Sequence, residues 1–471
     1  MNEHQVHRLA ASLGAECIET HISWVLLADQ HAWKIKKPVK LPFLDYGTLE
    51  ARRRCCEREL RLNSRLAPGL YLGVDNITGT PESPRLGGTG TVLEVAVRMR
   101  RFAQEELFSA RLAAGRLGPA EVDALADLLA DFHADAPQAA AASDFGTPAR
   151  RRETALAAWA GTAPWLDDPA ALKTWLEAQS DALTTLWQAR RRAGRVRQVH
   201  GDLHLENIVW LGDAPAAFDA IEFNPALHCI DVLDDVAFTV MDFAARGSRA
   251  LAFRLLNHWL DALGEHESLP ALRFAAAYRA MVRAQVMGLR GASAQARVYA
   301  GAARAWTLPG RPRLCITHGL PGSGKTWRSQ TWLESEGAIR VRSDVERKRL
   351  AGLPPLADSR AAGLDLYTTA MTRRTYARLF ALADVALRAG HPVVLDAAFP
   401  RRAEREEARA LADSLGVPFS ILDCEAPAAV LRERLTARSG DASEADAAVL
   451  DLLLAAAEPL TRGEREVAQS G

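Results

Sequence analysis

Residues 317–327 read THGLPGSGKTW, and the fold of the second half of the chain turns on how they are read. Gly319 to Thr326 fit the pattern GxxxxGK[ST], with the apolar run RLCIT before them and a helical pattern after them. Glycine lets backbone N–H groups converge on an anion where a side chain would block the approach. The spacing assigns Gly319, Gly322, Ser323 and Gly324 to a phosphate cradle, Lys325 to the β- and γ-phosphates, and the Thr326 hydroxyl to Mg2+. The N-terminus of the helix that follows adds positive potential.

Outward from this loop, the short apolar runs RLCIT, AIRVR, PVVLD and PFSIL alternate with helix-length segments, which predicts a parallel sheet flanked by helices. Such a sheet presents its functional loops at the carboxyl ends of its strands. Asp344 lies at one such end, as a carboxylate able to accept a hydroxyl proton, and Arg347, three residues on, suits an anionic substrate group. Asp396 closes PVVLD and is assigned to the water shell of the metal. Arg432, Arg434 and Arg438 sit in LRERLTARSG, a lid to close over a transferring phosphate. Residues 312–471 resemble the P-loop kinases of the polynucleotide kinase and zeta-toxin type, on the GLPGSGKT loop, the Asp344–Arg347 spacing and the arginine-rich lid. The resemblance implies phosphorylation of a hydroxyl by ATP with Asp344 as base. It leaves the acceptor open among nucleic-acid ends, sugars and sugar nucleotides.

A second polar cluster stands at 198–210, QVHGDLHLENIVW. Phosphoryl transfer needs a carboxylate near the acceptor hydroxyl and oxygen ligands for the metal. Asp202 and Asn207 are spaced for those two tasks, and His200 stands two residues ahead of the Asp. Asp219, in FDAIEF, supplies a second metal carboxylate, and Asp235, in DVLDDVAF, opens an apolar helix as a structural carboxylate. Residues 1–303 resemble the aminoglycoside phosphotransferase-like family within the protein-kinase-like fold. The resemblance implies a catalytic role for Asp202 and metal-binding roles for Asn207 and Asp219. A lobe of that type needs a strand lysine for the phosphates and a helix glutamate to hold it. Lys34 and Lys36 lie on one face of the strand AWKIKKPV, with Lys36 favoured, and Glu59 or Glu57 follows on the next helix. No GxGxxG covers the phosphates; ETHISWV stands in its place. No concentrated acidic surface suited to a polycation is visible, so the fold resemblance does not make an aminoglycoside the substrate.

The rest of the chain supports a division into domains. At 471 residues it exceeds one ordinary hydrophobic core. SWVLLAD and HAWKIKKPV predict a hairpin, TLEARRRCCERELRLNSRL a helix with Thr48 as N-cap, and residues 121–133 a helix burying Val122, Leu125, Leu129 and Phe132. The expected architecture is a two-domain α+β and α/β protein: a kinase-like domain at 1–303 (small lobe 1–103, large lobe 104–303), a linker at 304–311, and a parallel-sheet P-loop domain at 312–471. The 58 basic and 58 acidic side chains cancel, which removes any whole-molecule attraction to nucleic acid or an anionic membrane. Six scattered cysteines without a CxxC pair predict reduced thiols rather than disulfides or zinc. The N-terminus lacks a signal-peptide pattern and no apolar run is long enough to span a bilayer, so a cytoplasmic protein is expected.

The functional expectation is a bifunctional ATP-dependent phosphotransferase with Mg2+ at both sites, acting on hydroxyl groups of a small molecule such as a sugar or nucleoside. Two alternatives stand beside it. In one, the kinase-like half is a non-catalytic ligand-binding regulator of a P-loop effector. In the other, the P-loop half phosphorylates nucleotide or oligonucleotide 5′ ends; neutral charge and 7% aromatic residues count against a long nucleic-acid groove.

Overall fold

The expected hairpin forms the middle of a six-stranded antiparallel sheet. Its strands are β1 (Glu16–Glu19), β2 (Ser23–Leu27), β3 (His31–Lys36), β4 (Tyr71–Thr80), β5 (Ser83–Leu86) and β6 (Glu94–Arg100), in the order β1-β2-β3-β6-β4-β5. The computed structural model describes residues 1–41, 44–437 and 442–470. Strict alternation along β3 sends Ile35 to one face and Lys34 and Lys36 to the other. Ile35 joins Trp24, Leu26, Ile77 and Ala96 against an amino-terminal helix, Glu3–Leu13. Val95, Val97 and Tyr71 pack with Cys56 of α1 (Leu49–Asn63). Thr48 caps α1, accepting a bond from the Ala51 N–H at 3.1 Å, so the helix starts where its sequence signal lies. That start sets which α1 residues meet the sheet, Glu59 among them.

Beyond the sheet, helix Pro119–Asp135 buries Val122, Leu125, Leu129 and Phe132, as their spacing predicts. The polar stretch at 198–210 leads into a hairpin of β7 (Ile208–Leu211) and β8 (Ala214–Ala217), and α2 (Val232–Ala245) follows. By proximity the chain divides into two units, 1–154 with 184–242, and 155–183 with 243–471.

The second unit contains α3 (Arg249–Leu263), a helix Ser293–Thr307, and a five-stranded parallel sheet. The sheet consists of β9 (Leu314–His318), β10 (Ile339–Arg342), β11 (Val393–Asp396), β12 (Phe419–Asp423) and β13 (Ala468–Ser470), in the order β10-β11-β9-β12-β13. Strands β9 and β11 are buried along nearly their whole length, which is why they read as nearly continuous apolar runs, whereas β10 (IRVR) alternates and places Arg340 and Arg342 on one face. The flanking helices include α4 (Lys325–Glu336), α5 (Ser343–Leu350) and α6 (Thr369–Arg388). The outer edge of β10 is closed by side chains rather than by a strand. Asn257 of α3 donates its Nδ2 to the Ala338 carbonyl at 2.8 Å and accepts the Arg340 N–H at 2.6 Å. A sheet edge left open is a template for unwanted pairing; here one buried amide satisfies it. Among the described residues no helix is long and apolar enough to cross a membrane.

Candidate active sites

At the carboxyl end of β9 the chain turns through the glycine-rich loop into α4. Gly319 has φ +139°, and a Cβ there would collide with the Cys424 carbonyl oxygen, so only glycine allows the loop to close. The Ser323 hydroxyl is buried with no hydrogen-bond partner among the described residues. A bare hydroxyl in the turn just before the start of α4 fits an anion such as a phosphate. Lys325 donates to the Leu320 carbonyl at 2.9 Å, and Arg434 donates to the Gly322 carbonyl at 3.0 Å. Arg432 pairs with Asp451 at 2.6 Å, while Arg438 lies outside the described residues. Asp396 is buried at the end of β11, accepting from Ser329 at 3.3 Å, with Arg342 at 3.9 Å.

Asp344 occupies the first turn of α5, and Arg347 follows one turn later. Arg347 is held by the Leu366 carbonyl at 2.9 Å and the Thr372 hydroxyl at 3.1 Å, with its guanidinium 5.1 Å from the Tyr367 ring centre. The loop, Asp344, Arg347, Asp396 and Arg434 line a single cavity of about 1440 Å³. Sequence reasoning passed over His318, which bonds Asp423 at 2.7 Å beside the loop, and Tyr367; neither has a spacing that would mark it.

In the first unit, the backbone of the HGD turn is fixed from beneath. Asp235 accepts the N–H groups of His200 at 3.1 Å and Gly201 at 2.8 Å. Gly201 has φ +84°, and a Cβ would stand 2.6 Å from the Leu227 carbonyl oxygen. Burial lowers the His200 imidazole below its ordinary range, against the pull of Asp235 and Asp202, so it stays neutral and bonds the Phe218 carbonyl at 2.9 Å. Asn207 Nδ2 donates to the Asp202 carbonyl at 2.9 Å and carboxylate at 3.2 Å. With the amide nitrogen committed, its oxygen is the atom available to a cation. His204 Nε2 lies 3.3 Å from Asp202. Asp219 adopts φ +63°, a strained conformation that an aspartate tolerates; its N–H is held by the Tyr71 hydroxyl at 3.0 Å.

The two lysines differ in surroundings. Lys36, the lysine favoured from sequence for the phosphates, is 1% exposed, bonded to Glu59 at 2.6 Å and Tyr46 at 3.2 Å and paired with Glu222. Those three side chains enclose its ammonium almost completely. Lys34 is 13% exposed, bonds Glu59 at 2.9 Å and pairs with Asp219. Burial alone would lower both lysines, but Asp219 and Glu59 beside Lys34, and Glu222 and Glu59 beside Lys36, outweigh it and raise both. Burial would likewise raise Glu59, and the two lysines reverse that and hold it below the usual carboxylate range. Glu57 is exposed. Glu222, Tyr46 and Asn63 were not foreseen. Asn63 follows Glu59 by one helical turn, a legible spacing, and accepts the Ala220 N–H at 2.8 Å while donating to the Glu59 carbonyl at 2.8 Å. It ties α1 to the Asp219 segment.

Comparison with known proteins covers both regions. Residues 87–278 match the phosphotransferase enzyme family and residues 314–460 match the AAA domain. "Uncharacterized protein Rv2004c" of Mycobacterium tuberculosis is 30% identical over 466 residues, spanning 95% of this chain and 91% of its own. Among solved structures, a choline/ethanolamine kinase family protein from Mesorhizobium loti has 12% identity and a TM-score of 0.39, covering 64% of this chain and 93% of its own. A sugar kinase from Janibacter sp. HTCC2649 has 20% identity and a TM-score of 0.27, covering 34% and 84%.

Proposed function

The chain belongs to the same family as the mycobacterial protein Rv2004c and carries a kinase-like phosphotransferase region followed by a P-loop kinase-like region, and on that premise we propose that it is a bifunctional ATP-dependent kinase acting on hydroxyl groups of small molecules. One observation supports the reading: each unit sets acidic side chains and a lysine within one site, Asp202 with Asn207 and Lys34 with Asp219 in the first, Asp344 and Lys325 around one cavity in the second. ATP supplies the phosphoryl group and Mg2+ neutralises its charge when both are bound. In the first unit Asp202, oriented by Asn207, takes the proton as the acceptor oxygen bonds to the γ-phosphorus and the bond from that phosphorus to the β–γ bridging oxygen breaks, so that ADP leaves. Asn207 and Asp219 would hold the metal, and Lys34, positioned by Glu59, would hold the phosphates. In the second unit the 319–326 loop and Lys325 hold the phosphates, Thr326 and Asp396 serve the metal, Asp344 takes the proton, and Arg434 faces the transferred group.

The test uses the whole chain with γ-labelled ATP and a panel of sugars, nucleosides, hydroxy acids and short oligonucleotides. Asp202→Asn and Lys325→Ala are each expected to lower transfer to a different acceptor by about 10²–10⁴-fold, and the double variant to abolish both. If Lys325→Ala removes all transfer and Asp202→Asn changes nothing, the kinase-like region is a ligand-binding module instead. Label confined to oligonucleotide ends points to end repair.

A further inference from the structure

The cavity holding the P-loop is about 1440 Å³, more than the roughly 300–1,000 Å³ of an ordinary small-molecule pocket, so it has room for a nucleotide and an acceptor side by side. Part of its wall is apolar. The helix α7 (Ala447–Ala456) contributes Val449, Leu452, Leu453 and Ala456 to it, and Leu452 is left 69% exposed. This is not a fraying end. At the start of α7, Asp446 accepts from the Val449 N–H at 2.9 Å and pairs with Arg360 at 2.7 Å. Past its end, Glu458 donates its N–H to the Pro400 carbonyl at 2.8 Å and accepts the Arg402 N–H at 2.6 Å. Just upstream, Glu444 accepts the Ser359 N–H at 2.9 Å and pairs at 2.9 Å with Lys348, on the helix that carries Asp344 and Arg347. The leucines are therefore strung between the two segments that bring Arg347 and Arg401 to the cavity.

Those arginines supply the opposite chemistry. Arg347, Arg373 and Arg401 line the same cavity. Arg347 is buried, and its Nε has no hydrogen-bond partner among the described residues. A buried guanidinium N–H without a partner suits an oxyanion, which guanidinium binds in a planar, two-pronged fashion.

From this juxtaposition we infer that the hydroxyl acceptor of the P-loop site is an amphipathic anion. Its carboxylate or equivalent oxyanion meets Arg347, and a hydrocarbon body covers Leu452 and Leu453. The inference rests on the reading of this site as a kinase and narrows its substrate class. A polyhydroxylated acid would satisfy the arginine but leave the leucines wet. Each methylene of acceptor that buries itself on that wall strengthens binding about fourfold.

The whole chain is assayed with γ-labelled ATP against hydroxyalkanoates of increasing length, 4-(hydroxymethyl)benzoate, and aldonic acids of matched length. Lys325-dependent label is expected on the hydroxyalkanoates and the benzoate, with kcat/KM rising severalfold per methylene until the wall is covered. Leu452→Gln, a change at an exposed position that leaves the melting temperature in place, is expected to flatten that rise and cost tenfold or more on the longest acceptor. Lys325-dependent label that goes to aldonic acids alone, to none of the hydrocarbon acids, or to them with a length dependence that Leu452→Gln leaves intact overturns the inference while the kinase reading stands. If no acceptor of any class takes Lys325-dependent label, the kinase reading itself fails.

Discussion

Lys34 and Lys36 share a strand face and a glutamate, yet they will respond to substitution in opposite ways. Lys36→Met strands Glu222 and half of Glu59 in a buried setting, which costs about 3–5 kcal/mol and will be read as a lower urea midpoint. Lys34→Met leaves Glu59 with Lys36 as partner, so stability changes less, while transfer at the kinase-like site falls by two orders of magnitude or more; the reverse ranking in a labelled-ATP assay would return the phosphate role to Lys36. His391 yields a prediction in pH. Burial, with Arg273 and Arg249 nearby, lowers its imidazole to about 4, against about 6.5 in the unfolded chain. The unfolded state therefore takes up the proton first, so stability is held above about pH 6.5 and is lost as pH falls toward 4. Between pH 7 and pH 5 this group removes about 2 kcal/mol; His391→Leu should flatten that part of the urea-midpoint profile.

Elements divide into those set by local signals and those set by what they meet. The helix α1 starts at its Thr48 cap, and β9, β10, β11 and β12 coincide with the four short runs RLCIT, AIRVR, PVVLD and PFSIL, whose apolar residues pack into the core on the faces of the sheet. The strand β13, Ala468–Ser470, carries the sequence AQS and no such signal; it exists because β12 offers a free edge. The opposite edge, β10, depends on Asn257. Asn257→Leu leaves the Arg340 N–H of that strand and the Ala338 carbonyl just before it unpaired, at a cost of about 1–3 kcal/mol for each group. Amide hydrogen exchange at Arg340 should speed up accordingly; unchanged protection there would mean that the amide pair carries no weight.

At the scale of the whole molecule, the linker region near 304–311 is not where packing separates the chain. Helix Ser293–Thr307 runs into it, and residues 243–307 belong to the same unit as the parallel sheet. Besides Asn257, Arg349 of α5 bonds the Asp261 carbonyl, and Arg378 pairs with Glu267 at 2.6 Å. A fragment cut at 308 loses all three partners. It is expected to melt at lower temperature than the P-loop region does in the intact chain, with early exchange along β10; an equal melting temperature would show that the sheet is self-sufficient.

The sequence alone carried the two polar motifs, the parallel-sheet alternation and the acid spacing around Asp202, since each depends on contacts within a few residues or on a repeating face. Which lysine stays partly exposed beside Asp219, which side chains close β10, and the convergence of an apolar helix and Arg347 on one cavity are visible only in three dimensions. These depend on groups tens to hundreds of residues apart whose burial is decided by packing, and burial sets whether a charge is structural or available.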